Sequence, residues 1–92
     1  MSIVIEQIRE EINLIDREMA SLFVRRMRAV EKVAAYKKER GIQVFDAKRE
    51  KQILENSESL IDDPDLREYY RRFMTENMNI SKDYQHKLIE KA

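Results

Sequence analysis

The chain has no cysteine and no tryptophan, and only one histidine, one glycine and one proline. Each shortage removes a class of chemistry. Without thiols there can be no disulfide, no thiolate nucleophile and no thiolate metal ligand. His86, the lone histidine, cannot by itself build a zinc site from the usual nitrogen and sulfur donors, and near a C-terminus it reads as a surface residue. With Gly41 as the only glycine, no glycine-rich loop is available to cradle a phosphate. No series of nucleophile, base and orienting group stands out either. Net charge is also missing, because eighteen basic residues balance eighteen acidic ones; no overall field draws the chain to nucleic acid or an anionic membrane. No apolar run approaches the ~18 residues of a membrane span. The short run at residues 3–5 meets charge at once in Glu6, Arg9 and Glu10, unlike a signal peptide. The expectation is a cytoplasmic protein with neither a nucleic-acid nor a membrane partner.

What is present is helix-forming. The 92 residues, 39% charged and 42% hydrophobic, match one domain with the balance of a bundle or coiled coil. Gly41 and Pro64 help to cut the chain into three helical segments, at about residues 5–39, 47–59 and 64–89. In the first, Ile8, Ile12, Ile15, Met19, Leu22, Arg26, Ala29 and Val33 alternate spacings of four and three, a heptad-like seam. Ala20, Phe23, Met27, Val30 and Ala34 form a second stripe beside it. Gly41 suits a left-handed residue closing that helix. Asp46 reads as the N-cap of the second, and Asp63 followed by Pro64 as the start of the third. The third carries Leu66, Tyr70, Phe73, Asn77 and Tyr84 on one side, with Met74, Ser81, Gln85 and Leu88 alongside.

A first helix of that length would be ~50 Å long, whereas a compact chain of this size has a radius of gyration of only ~12–13 Å. Two shorter helices cannot clothe both of its stripes. The expected fold is therefore all-α, with three helices per chain, the first very long, completed by a second copy as a two-fold homodimeric bundle with intertwined long helices.

Several polar residues interrupt the apolar pattern. Arg26 occupies a seam position between Leu22 and Ala29, where an ion pair or an outward-reaching side chain would also account for it. Lys37 lies eleven residues on, which returns it to within ~20° of the same helix face. Taken alone it is an ordinary cation at a helix C-terminus. Asn77, Ser81 and Gln85 repeat at four-residue spacing among Phe73, Met74, Tyr84 and Leu88, as a ligand-facing row or as a polar layer setting register. Capping explains Asp46, whereas Arg49 sits in the less favourable half of the helix dipole and needs a partner. Glu50 lies one turn from Asp46, and a bound cationic group, a hydroxyl donor or the adjacent Arg49 would relieve the like charges.

Together these positions resemble the all-helical chorismate mutase family, from about Ile8 to Ile89. The resemblance runs through Ile8-Arg9-Glu10-Glu11-Ile12 with Leu14-Ile15-Asp16, then Arg25-Arg26, then Val33-Ala34-Ala35-Tyr36-Lys37. Val44-Phe45-Asp46-Ala47-Lys48-Arg49-Glu50 carries the family's aspartate, arginine and glutamate, and Ser81 with Gln85 its C-terminal pair. The sequence departs once: an aromatic residue often seven before the serine falls on Met74, with Phe73 one place early.

The resemblance implies conversion of chorismate to prephenate by an intramolecular rearrangement, without metal or cofactor, in aromatic amino-acid biosynthesis. It further implies a homodimer with shared active sites. Arg26 and Arg49 would hold the substrate carboxylates, with Arg9 entering from the other subunit. Lys37 and Gln85 would hydrogen-bond the ether oxygen, Glu50 with Asp46 nearby would receive the hydroxyl, and Ser81 would border the carboxylate site. Arg9, Arg26, Lys37 and Arg49 against Asp46 and Glu50 leave two positive charges for a dicarboxylate. Because the rearrangement is unimolecular and moves no proton, the lack of a general base agrees with it. Two other readings stand beside this one: an isochorismate pyruvate lyase of the same fold, and a non-enzymatic helical dimer whose inward polar residues only set register.

Overall fold

The computed structural model describes residues 2–90 and consists of three helices, α1 (Ser2–Arg40), α2 (Ala47–Leu60) and α3 (Pro64–Glu90). No strand occurs among the described residues. Helix α1 begins three residues before its expected start, and each helix ends one residue beyond its expected end, within the spread that frayed helix termini allow.

Local chemistry accounts for the boundaries. Gly41 has φ +64°, the left-handed conformation that costs a residue with a Cβ roughly 1–2 kcal/mol. Its N–H bonds to the Lys38 carbonyl, and that of Ile42 to the Lys37 carbonyl at 2.9 Å, the paired closure of a glycine-terminated helix. Asp46 caps α2 by accepting from the Arg49 N–H at 3.0 Å. At the head of α3, Asp63 accepts the Asp65 N–H through its side chain at 2.9 Å and the Leu66 N–H through its carbonyl at 3.1 Å. Pro64, the first helical residue, has no N–H to satisfy.

Helix α3 packs on both α1 and α2, which do not pack on each other. The buried apolar residues among those described are few: Val30 and Ala34 of α1, Val44 of the following loop, and Met78 of α3. The second stripe is thus buried only in its C-terminal part, as Phe23 stays exposed. Met78, in neither expected stripe of α3, is a core residue because it lies on the face that meets the end of α1. The heptad-like seam is open: Ile8, Ile12, Ile15, Met19 and Leu22 are 45–56% exposed. The chain extends 57 × 29 × 14 Å with a radius of gyration of 16.9 Å, against ~12 Å for a compact chain of this length. No helix among the described residues is long and apolar enough to cross a membrane.

Candidate active site

The C-terminal half of α1, the loop after it, the first turns of α2 and the C-terminal half of α3 enclose a cleft of about 270 Å³. Arg26, Lys37, Asp46, Arg49, Glu50, Ser81 and Gln85 all line it. Arg9 does not. It lies seventeen residues before Arg26 on the same helix, about 25 Å away along the axis, and is exposed.

Each helix delivers its side chains for a local reason. Arg26 and Lys37 share a face of α1, three turns apart, and both are half-buried. Arg26 Nη1 donates to Ser81 Oγ at 2.6 Å and, more weakly, toward Asn77 Oδ1 at 3.5 Å. Ser81 Oγ in turn donates to the Asn77 carbonyl at 2.9 Å, so the guanidinium is held by a row one turn apart on α3. Lys37 Nζ donates to the Val44 carbonyl at 2.6 Å. An ammonium has three protons, and two remain for other acceptors.

Asp46 spends one oxygen on its cap. Arg49 is exposed and forms no ion pair among the described residues. The like-charge pressure between Asp46 and Glu50 is relieved not by Arg49 but by Lys82, whose Nζ lies 3.0 Å from Glu50 Oε2. The same ammonium sits 5.0 Å from the centre of the Phe45 ring, within cation–π range. Lys82 lines the cleft and was not singled out from the sequence. Its signal was the spacing of three before Gln85, which puts both on one face of a helix.

Gln85 is only 7% exposed, and its Oε1 is buried without a hydrogen-bond partner among the described residues. Turning the amide over would present an N–H at the same point, since the two ends are nearly the same shape. Four cations and two carboxylates line the cleft, an excess of two positive charges. No group of three or more histidine, aspartate and glutamate side chains gathers to hold a metal among the described residues.

Behind the cleft, Tyr84 Oη donates to Glu31 Oε2 at 2.5 Å, and Arg28 pairs with the same oxygen at 2.6 Å. The Tyr84 hydrogen bond is the main reason the Glu31 carboxyl lies below its ordinary range; desolvation opposes it and Arg28 adds to it. Tyr84 is pushed up, first by that hydrogen bond and then by desolvation and the Glu31 charge. On the other side of Arg26, α1 and α3 flank a groove of about 570 Å³ lined by Leu22, Phe23, Tyr70, Phe73 and Met74 among others.

The cleft thus combines surplus positive charge with a buried amide oxygen that has no partner among the described residues, an arrangement suited to a small anionic ligand. The kinship of the chain is specific. The family profile for chorismate mutase type II matches residues 8–86, and the chain belongs to that family. No curated protein and no solved structure matches the chain.

Proposed function

We propose that the chain is a single-domain chorismate mutase, acting as a two-fold homodimer whose long helices intertwine and whose active sites are shared. Membership of the family supports mutase-type chemistry on chorismate. The observation that carries the reading is the cleft itself: Arg26, Lys37, Arg49 and Gln85 converge there, with the buried amide oxygen of Gln85 lacking a partner among the described residues.

In this reading Arg26 and Arg49 bind the two carboxylates, joined by Arg9 of the partner subunit. Ser81 braces Arg26, as their 2.6 Å contact allows. Lys37 and Gln85 donate to the ether oxygen, on which negative charge grows as its bond to carbon breaks. Glu50, beside Asp46, accepts the substrate hydroxyl. The reaction is a rearrangement within one molecule, so catalysis consists of holding the folded, reactive conformer and placing donors where charge develops. A rate gain of ~10⁶ corresponds to about 8 kcal/mol, within reach of a few charge-assisted hydrogen bonds and restricted rotation.

The dimer is supported by exposure. The chain has 7759 Å² of accessible surface, whereas an 11.1 kDa monomer is expected to show about 5,700 Å². The excess, about 2,000 Å² per chain, is the scale of an obligate interface, and it coincides with the open seam of α1.

The test is direct: purified protein is mixed with chorismate, the loss of chorismate absorbance is followed, and the product is identified. Conversion to prephenate is expected. Release of pyruvate from isochorismate with chorismate left intact would assign the lyase reading, and inactivity on both would leave a binding or structural dimer.

A further inference from the structure

Lys82 stands apart from the other cations of the cleft because its charge is already engaged. Its ammonium bridges three parts of the chain: it rises from α3, pairs with Glu50 Oε2 in the first turn of α2, and rests against Phe45 of the preceding loop. Both side chains of the ion pair are 24% exposed. That pairing is better shielded from water than an ordinary surface ion pair, whose worth is close to nothing.

The geometry has two consequences for Glu50. First, Oε2 faces Lys82 at 3.0 Å, and no hydrogen bond among the described residues engages Oε1; a ligand hydroxyl therefore meets an acceptor that the ion pair leaves open. Second, Glu50 is satisfied without its neighbour Arg49. Residues adjacent on a helix do not face each other, and with Glu50 held by Lys82 the guanidinium stays free to take a carboxylate.

We propose that Lys82 is a positioning residue for the hydroxyl-binding corner of the cleft: it locks Glu50 so that Oε1 receives the ligand hydroxyl and Arg49 remains open to a ligand carboxylate. The role rests on the mutase reading and deepens it, and it acts through Glu50 rather than on the substrate. It also separates Lys82 from Lys37, whose ammonium is held by a neutral carbonyl and keeps its full charge for the ligand.

A mutant cycle on steady-state kinetics tests it. Lys82→Met keeps the apolar stem and removes the charge; the expected result is a KM raised roughly tenfold, a coupling of ordinary size for residues in contact, with kcat little changed. Lys82→Arg should restore most of the affinity. In a Glu50→Gln background, Lys82→Met should add no further loss, because there is no carboxylate left to lock. Circular dichroism and thermal midpoints accompany each variant, and Lys82→Gln takes the place of Lys82→Met if the latter fails to fold. A loss of equal size in both backgrounds overturns the proposal, since Lys82 would then act on the substrate directly or on stability alone. A KM unchanged by Lys82→Met overturns it as well, while leaving the mutase reading intact. An inactive wild-type protein overturns both.

Discussion

The Gln85 amide lies in the cleft with a buried oxygen that has no hydrogen-bond partner among the described residues, a condition that costs about 1–3 kcal/mol when left uncompensated. With the amide turned over, an N–H stands at that point and a ligand acceptor would satisfy it, which makes Gln85 the sharpest single-residue probe of the site. In the proposed mechanism its N–H donates to the ether oxygen, and a glutamate there can donate only when protonated. Gln85→Glu should therefore lower kcat by about 10²-fold at neutral pH, the scale of one lost preorganised donor, and should recover as the medium is acidified. A flat pH–rate profile from a folded variant would remove Gln85 from that role. The sequence drew attention to Arg26 and Gln85 because each interrupts an apolar pattern, and to Lys37 because it returns to the face of Arg26. Lys82 drew none. A lysine on a helix of alternating polar residues looks like any solvated cation until the first turn of α2 is set opposite it, and that arrangement is tertiary.

At the scale of the elements, the caps were legible and the contacts between helices were not. Gly41, Asp46 and the Asp63-Pro64 pair act within a few residues of themselves, so their chemistry is written locally. The bond from Tyr84 to Glu31 joins residues 53 apart and depends on how α3 is rotated on α1. That bond holds the turn of α3 next to Gln85 and has a definite pH signature. Glu31 is depressed in the folded state, so its contribution is present above its unfolded value and is lost as pH falls through the lower, folded one. Tyr84 is raised, so its contribution is present below its unfolded value and is lost as pH rises through the higher, folded one. Tyr84→Phe should accordingly lower the thermal midpoint most across the neutral range. The gap from wild type should close below about pH 4 and above about pH 10, beyond the ordinary glutamate and tyrosine values. A constant gap from acid to alkali would mean that the phenol contributes packing and no hydrogen bond.

At the scale of the whole molecule, the proposed second copy would account for both the open seam and the position of Arg9 outside the cleft. The length of the first helix and its apolar stripes were readable from periodicity. Which residues stay bare in one chain was not, because burial depends on where α3 folds back, and α3 buries only the C-terminal part of α1. Arg9 is about 25 Å along the axis from Arg26, so it can serve a cleft only if that cleft belongs to another subunit. Arg9→Ala and Arg26→Ala should each be nearly inactive as pure homodimers, because every site in either lacks one cation. Unfolded together and refolded, they should complement. In a mixed dimer the Arg9→Ala subunit supplies an intact Arg26 and its partner an intact Arg9, so one site is complete and the other lacks both. Random two-fold pairing makes about half of the dimers mixed, and about a quarter of all sites should regain wild-type turnover. A mass tag on one variant reports whether mixed dimers form. If they form and activity stays at the level of the separate variants, Arg9 has no part in the partner's site.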